Sequence, residues 1–166
     1  EDCLARGTDL SHGGAHYNVG PVLTGIGLAI VANSLAVIKK LVFEDHRVPL
    51  EELTKALDAN WVGYDALRKL VQDVPKYGND DNYVDEIAVE ISNFYYRTIR
   101  SHKDIFGSPF NSAFMGISNY IPTGRVVGAT PCGRKAYEPL TEGVSPFAGT
   151  DVESPLAAMR SSAKVN

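Results

Sequence analysis

From Val19 to Ile38 the chain carries no charged residue, and Lys39-Lys40 closes the run. About 20 apolar residues in a row can cross a bilayer. Gly20-Pro21, Thr24, Gly25, Gly27, Asn33 and Ser34 interrupt this run, so it reads instead as a helix buried in protein. The spacing predicts a helix over Ile26–Glu44. Leu28, Val31, Ala32, Leu35, Ile38 and Val42 share one face, and Ile30, Val37 and Leu41 lie off it. A helix that is apolar nearly all round must be enclosed on several sides, which asks for more protein than a small domain supplies.

The 166 residues are enough for one domain with a real core. Hydrophobic residues at 44% and charged residues at 22% match ordinary globular usage and exclude a disordered chain. A net charge of -4 gives no electrostatic footprint for nucleic acid. Cys3 and Cys132 form neither a CxxC pair nor a metal spacing. They read as free thiols in a reducing compartment, hence a cytoplasmic protein. The opening EDCLARGTDL has no signal-peptide pattern and no initiator Met, as expected for an internal piece of a larger protein.

Downstream, Pro49–Val74 reads as two helices or one bent one, with Pro49 in the first turn. Asn79-Asp80-Asp81 offers caps for an amphipathic helix over Asn82–His102, with Val84, Ile87, Ala88 and Ile91 on its stripe. Met115–Ile121 (MGISNYI) reads as a short buried strand. Residues 122–151 are rich in Gly and Pro, and a loop that long is usually functional or leans on something outside it. Ser154-Pro155 starts a last helix.

Four patterns invite a chemical reading. In GATPCGRKAYEPL (128–140), Gly128 and Gly133 have the spacing of a phosphate-binding loop. Pro131 removes an N–H, Lys135 comes one place late, no Ser or Thr follows it, and Pro139 blocks the helix such a loop needs. A tight turn with Arg134 and Lys135 solvated or ion-paired is the plainer expectation. His12 and His16 stand four apart, but Gly13-Gly14 makes a shared helical face poor. Asp80, Asp81, Asp85 and Glu86 lack the alternation of a calcium loop and suit a helix N-terminus. Cys132, beside Arg134 and Lys135, is either a reactive thiol or a bystander; no His partner is readable. No complete catalytic set emerges from the residues themselves.

Longer phrases carry a resemblance. HGGAHYN (12–18), ANSLAVIKKLVFE (32–44), PKYGNDDNYVDEIA (75–88) and VVGATPCGRKAYEPLTEGVSP (126–146) resemble, in order, segments of the glycyl radical enzymes related to pyruvate formate-lyase. The likeness favours the dehydratase, decarboxylase and carbon–heteroatom lyase branch, with a pyruvate formate-lyase-type acyltransferase as the alternative. Two letters depart from the family phrases: Cys132 stands where Asp is usual, and Tyr137 where Gly is usual.

The resemblance implies an α/β fold, the chain being a helix-rich internal portion of a ten-stranded barrel with few strands of its own. Residues 1–166 would be one internal part. A thiyl-cysteine loop would lie upstream and a glycyl radical domain downstream. Neither Asp-Cys-Leu-Ala at Cys3 nor Pro-Cys-Gly-Arg at Cys132 matches the family's Gly-Cys-x-Glu loop, and no Arg-Val-x-Gly phrase occurs. No catalytic residue, metal or cofactor is therefore expected within the chain itself. The parent would need a glycyl radical installed by an S-adenosylmethionine/iron–sulfur activating enzyme. Its partners would be the rest of the barrel, that activase and a second subunit, without nucleic acid or membrane. Ile117, Ser118 and Asn119 are the candidate substrate-binding residues, with plain barrel packing as the alternative. Two readings of another class are a nucleotide-binding module on 128–135 and a non-catalytic helical interaction domain.

Overall fold

The computed structural model describes residues 2–16 and 21–165. Tyr17–Gly20, which end the HGGAHYN phrase and begin the uncharged run, lie outside the described residues. The elements in chain order are α1 (Cys3–Arg6), a 3-10 turn (Leu10–His12), β1 (Val22–Thr24), α2 (Leu28–Val37), α3 (Leu50–Asp58), α4 (Asp65–Gln72), α5 (Asn82–Arg100), β2 (Asn111–Ala113), α6 (Tyr120–Gly124) and α7 (Pro155–Lys164). The helix-rich α/β class expected from the sequence is what the chain adopts. β1 and β2 pair in parallel, with Val22 opposite Asn111, Leu23 opposite Ser112 and Thr24 opposite Ala113. Four helices lie between them, as a parallel pair needs a crossover.

α2 starts after Gly27, whose φ of 87° suits glycine, two residues later than expected. It continues as a π-helical turn over Ile38–Glu44, closed by Asp45 N donating to Lys40 O at 2.8 Å. The turn carries Lys39 Nζ to 4.5 Å from the Tyr83 ring centre, while the Tyr83 hydroxyl donates to Glu44 at 2.9 Å. Ala29, Ala32 and Ala36 are fully buried, and these small side chains let α2 approach α5, where Val84 and Ala88 are also at 0% exposure. The buried face differs from the expected one. Val31 and Leu35 remain over 40% exposed, while Ile30, Val37 and Leu41 are buried. A segment apolar on every side has no polar face to orient it, so the contact with α5 decides.

Pro49–Val74 resolves into two helices. Pro49 stands just before α3 in extended conformation, with ψ 139°, one place earlier than expected. Between α3 and α4, Trp61 is 1% exposed with φ 65° and donates from Nε1 to Arg134 O at 3.2 Å. α5 is capped by Asp81, whose carboxylate accepts from Tyr83 N at 2.9 Å. α7 is capped by Ser154, accepting from Ala157 N at 3.1 Å.

The expected strand over Met115–Ile121 is not formed. The strand lies just upstream at Asn111–Ala113, residues 118–119 turn, and α6 begins at Tyr120. Only three residues pair because β1 itself ends at Thr24, and Pro122 fits a first helical turn better than a strand.

Candidate functional site

Three stretches of backbone meet where β1 and β2 end. Gly25 N extends the strand pairing by donating to Ala113 O at 2.9 Å. A Cβ on Gly25 would collide with the Phe114 ring, so glycine there admits Phe114 over the strand end. Tyr95 of α5 supports that ring at 5.3 Å between centroids and donates its hydroxyl to Leu23 O at 3.0 Å. The third stretch, Leu140–Gly143, is tied to the other two: Gly27 N donates to Thr141 O at 2.9 Å, and Leu140 N to Tyr120 O at 3.2 Å. Gly143 fits so tightly that an added Cβ would stand 3.3 Å from Gly116 N and Phe114 O.

Ile117, Ser118 and Asn119 continue from this junction. Ile117 is half-buried, and Ser118 and Asn119 are exposed. Their carbonyls are partly committed: Ser118 O accepts from Ile121 N at 3.1 Å and Asn119 O from Thr123 N at 3.0 Å. Sequence reasoning missed Glu142. Its carboxylate lies beside Gly116, with Oε2 3.4 Å from where a Cβ would be.

The loop over 128–135 is not a phosphate cradle. Thr130 N donates to Arg134 O, Gly133 N to Thr130 O, Lys135 N to the Glu138 carboxylate at 3.0 Å, and Ala136 N to Asn60 Oδ1 at 2.7 Å. Those N–H groups are committed within the protein rather than turned toward a ligand. Arg134 is neither solvated nor ion-paired, contrary to expectation. It is fully buried, and its guanidinium donates to the carbonyls of Gly124, Val127, Gly128, Glu138 and Pro139 at 2.7–3.3 Å. Five donors on a rigid planar fork can gather a loop that has no ladder of its own. Burial pulls its pKa below the ordinary guanidinium value.

The loop is tied to other parts of this chain. Arg68 Nε donates to Gly133 O at 2.8 Å, and Asn79 Nδ2 donates to Thr150 O at 2.7 Å while its Oδ1 accepts from Val152 N at 2.8 Å. Cys132 is 5% exposed, 3.3 Å from Thr130 Oγ1, which answers the reactive-thiol reading with a buried one. A cleft of about 440 Å³ opens beside it, lined by Lys76 and Arg68 among others. Lys76 Nζ is occupied there by the carbonyls of Val71, Gln72 and Val74, which it caps at the end of α4.

His12 and His16 turn to different partners, Ser11 Oγ and the Asp2 carboxylate, each at 3.1 Å. The acidic cluster is an interhelix clamp more than a dipole complement. Lys164 of α7 bridges Asp80 at 2.7 Å and the fully buried Asp85 at 2.8 Å. Hydrogen bonds from Lys164 hold the Asp80 carboxyl below its usual value. Among the described residues, no group of three or more His, Cys, Asp and Glu could hold a metal ion, and no helix is long and apolar enough to cross a membrane.

The pyruvate formate lyase-like family profile matches residues 1–124. The chain belongs to the pyruvate formate lyase-like family. It is 39% identical over its whole length to the trans-4-hydroxy-L-proline dehydratase of Clostridioides difficile, covering 21% of that protein. It is 40% identical to the isethionate sulfite-lyase of Bilophila wadsworthia across 82% of the chain, or 16% of the relative. The glycerol-bound B12-independent glycerol dehydratase of Clostridium butyricum superposes over the whole chain with a TM-score of 0.95 at 35% identity, again over 21% of its length. The chain thus spans about a fifth of the length of these relatives. The resemblance read from the four phrases is the family that the whole chain shows.

Proposed function

We propose that the protein containing these residues is a glycyl radical lyase or dehydratase cleaving a carbon–heteroatom bond of a small polar substrate. The observation that carries this reading is the near-complete superposition on a glycerol dehydratase, beside relatives that are a hydroxyproline dehydratase and an isethionate sulfite-lyase. The chain's part is one wall of the pocket, built by residues 114–119 and 140–143 at the C-terminal ends of β1 and β2. Open parallel sheets place their ligands at that end of the strands. Ile117, Ser118 and Asn119 fit this rim because they follow the junction directly. The thiyl cysteine and the glycyl radical would lie on segments outside residues 1–166. The radical would be installed by an S-adenosylmethionine/iron–sulfur activase in the cytoplasm, on a homodimer.

The test is anaerobic co-expression of the full-length protein with its activase. The expected results are an organic-radical doublet by electron paramagnetic resonance and dehydration or lysis of one compound from a panel of diols, hydroxyproline and isethionate. A full-length protein that takes up no radical under conditions that activate a relative overturns the reading.

A further inference from the structure

Phe114 to Ile117 lead from β2 into the rim, and they make no backbone hydrogen bond with any described residue. The pairing of β1 and β2 ends one residue earlier, at the bond from Gly25 N to Ala113 O. Packing must therefore place this stretch, and the packing converges on Phe114. A Cβ on Gly25 would collide with Cδ1 and Cε1 of the Phe114 ring, so the end of β1 lies directly against it. Tyr95 of α5 lies against the same ring at 5.3 Å between centroids, and its hydroxyl, donating to Leu23 O at 3.0 Å, ties it to β1 as well. The Phe114 carbonyl meets the third stretch, since a Cβ on Gly143 would stand 3.3 Å from it. One half-buried residue thus touches β1, α5 and the 140–143 stretch just before the chain enters the rim.

We propose that Phe114 is a positioning residue that sets where Ile117, Ser118 and Asn119 stand toward the substrate. This rests on the reading that residues 114–119 and 140–143 face the pocket. The ring itself is spent on Gly25, Tyr95 and the core cluster it packs against, so its effect on the substrate is indirect. A stretch without a ladder takes its place from the side chain that anchors it, and a close-packed interior passes a lost contact on as a shift. A binding group displaced by about 1 Å can cost about a hundredfold. Gly25 and Tyr95 belong to the same device: one admits the ring, and the other holds it while gripping β1.

Calorimetry on the full-length protein, not activated, tests it with 1,2-propanediol, trans-4-hydroxy-L-proline and isethionate as separate probes. The Kd of the best-bound probe is then read in variants, beside their denaturant midpoints. Phe114→Leu should weaken that probe about tenfold. Val84→Ala opens a core gap about three turns from Tyr95 along α5; it should lower the midpoint comparably and leave Kd within about twofold. Gly25→Ala, which intrudes on the ring, should weaken the probe too. Adding Phe114→Leu to it should cost nothing more, because the smaller side chain leaves room for the new Cβ. In activated protein the loss should fall on KM more than on kcat, as for a group that serves binding. Phe114→Leu that binds like the wild type overturns the proposal. So does Val84→Ala that weakens binding as much, or a wild type that binds none of the probes. A wild type that binds but takes up no radical refutes the radical reading, and the Kd values still decide the role of Phe114.

Discussion

Two residues of the Gly/Pro-rich loop show how much one side chain can determine. Arg134 gathers five carbonyls, and those of Gly128, Glu138 and Pro139 have no other donor among the described residues. Lysine carries a point charge with three donors and cannot reproduce the fork. Arg134→Lys should therefore cost about 3 kcal/mol, read as a lower denaturant midpoint. Tyr137 stands where the family phrase carries Gly, and its φ is 69°. Its side chain is 73% exposed, so little packing holds it there. Tyr137→Gly should relieve the left-handed strain and stabilise the protein by about 1 kcal/mol, measured the same way. Cys132, the other departure, lies buried beside Thr130, and nothing in the structure explains the change from Asp.

At the scale of the element, α4 ends on a buried cation. Lys76 caps the last carbonyls of the helix, and burial holds its ammonium down at about 8 against an ordinary 10.5. The folded value lies below the unfolded one, so between pH 8 and 10.5 the unfolded chain binds the extra proton. Stability should rise across that window by up to about 3 kcal/mol, and this group should add no pH dependence below pH 8, where its penalty is constant. Denaturant midpoints of the wild type and Lys76→Met from pH 7 to 10 check this. The variant should lose the rise. α5 was the easiest element to read from sequence, because its stripe and the Asp81 cap agree. The strand beside it was not. MGISNYI carries the right residue types, yet pairing stops at Ala113 because β1 ends at Thr24.

For the molecule as a whole, the apolar surface is the salient property. Val31, Leu35, Phe43, Phe94 and Met159 are all more than 40% exposed, and β1 and β2 pair over only three residues. Parallel sheets are normally covered on both faces, and two strands seldom suffice. The isolated chain should bind a hydrophobic dye strongly, and Val31→Ser with Leu35→Ser should reduce that signal. It should show no turnover after exposure to an activase. A weakly dye-binding, cooperative monomer would contradict the expectation of a chain made to be enclosed.

The sequence by itself determined the family, through four phrases in a fixed order, together with the helix-rich class and most helix starts. These are local properties: periodicity, caps and Gly or Pro placements act over a few residues. Only the tertiary structure decided which face of α2 is buried, that Arg134 gathers its own loop, that Asp85 pairs with Lys164, and that Glu142 lies beside Gly116. These join positions from four to about eighty residues apart, through contacts that exist only once the chain has folded. A pattern with no polar side, or a charge whose answer is a distant carbonyl, carries no local mark of its outcome.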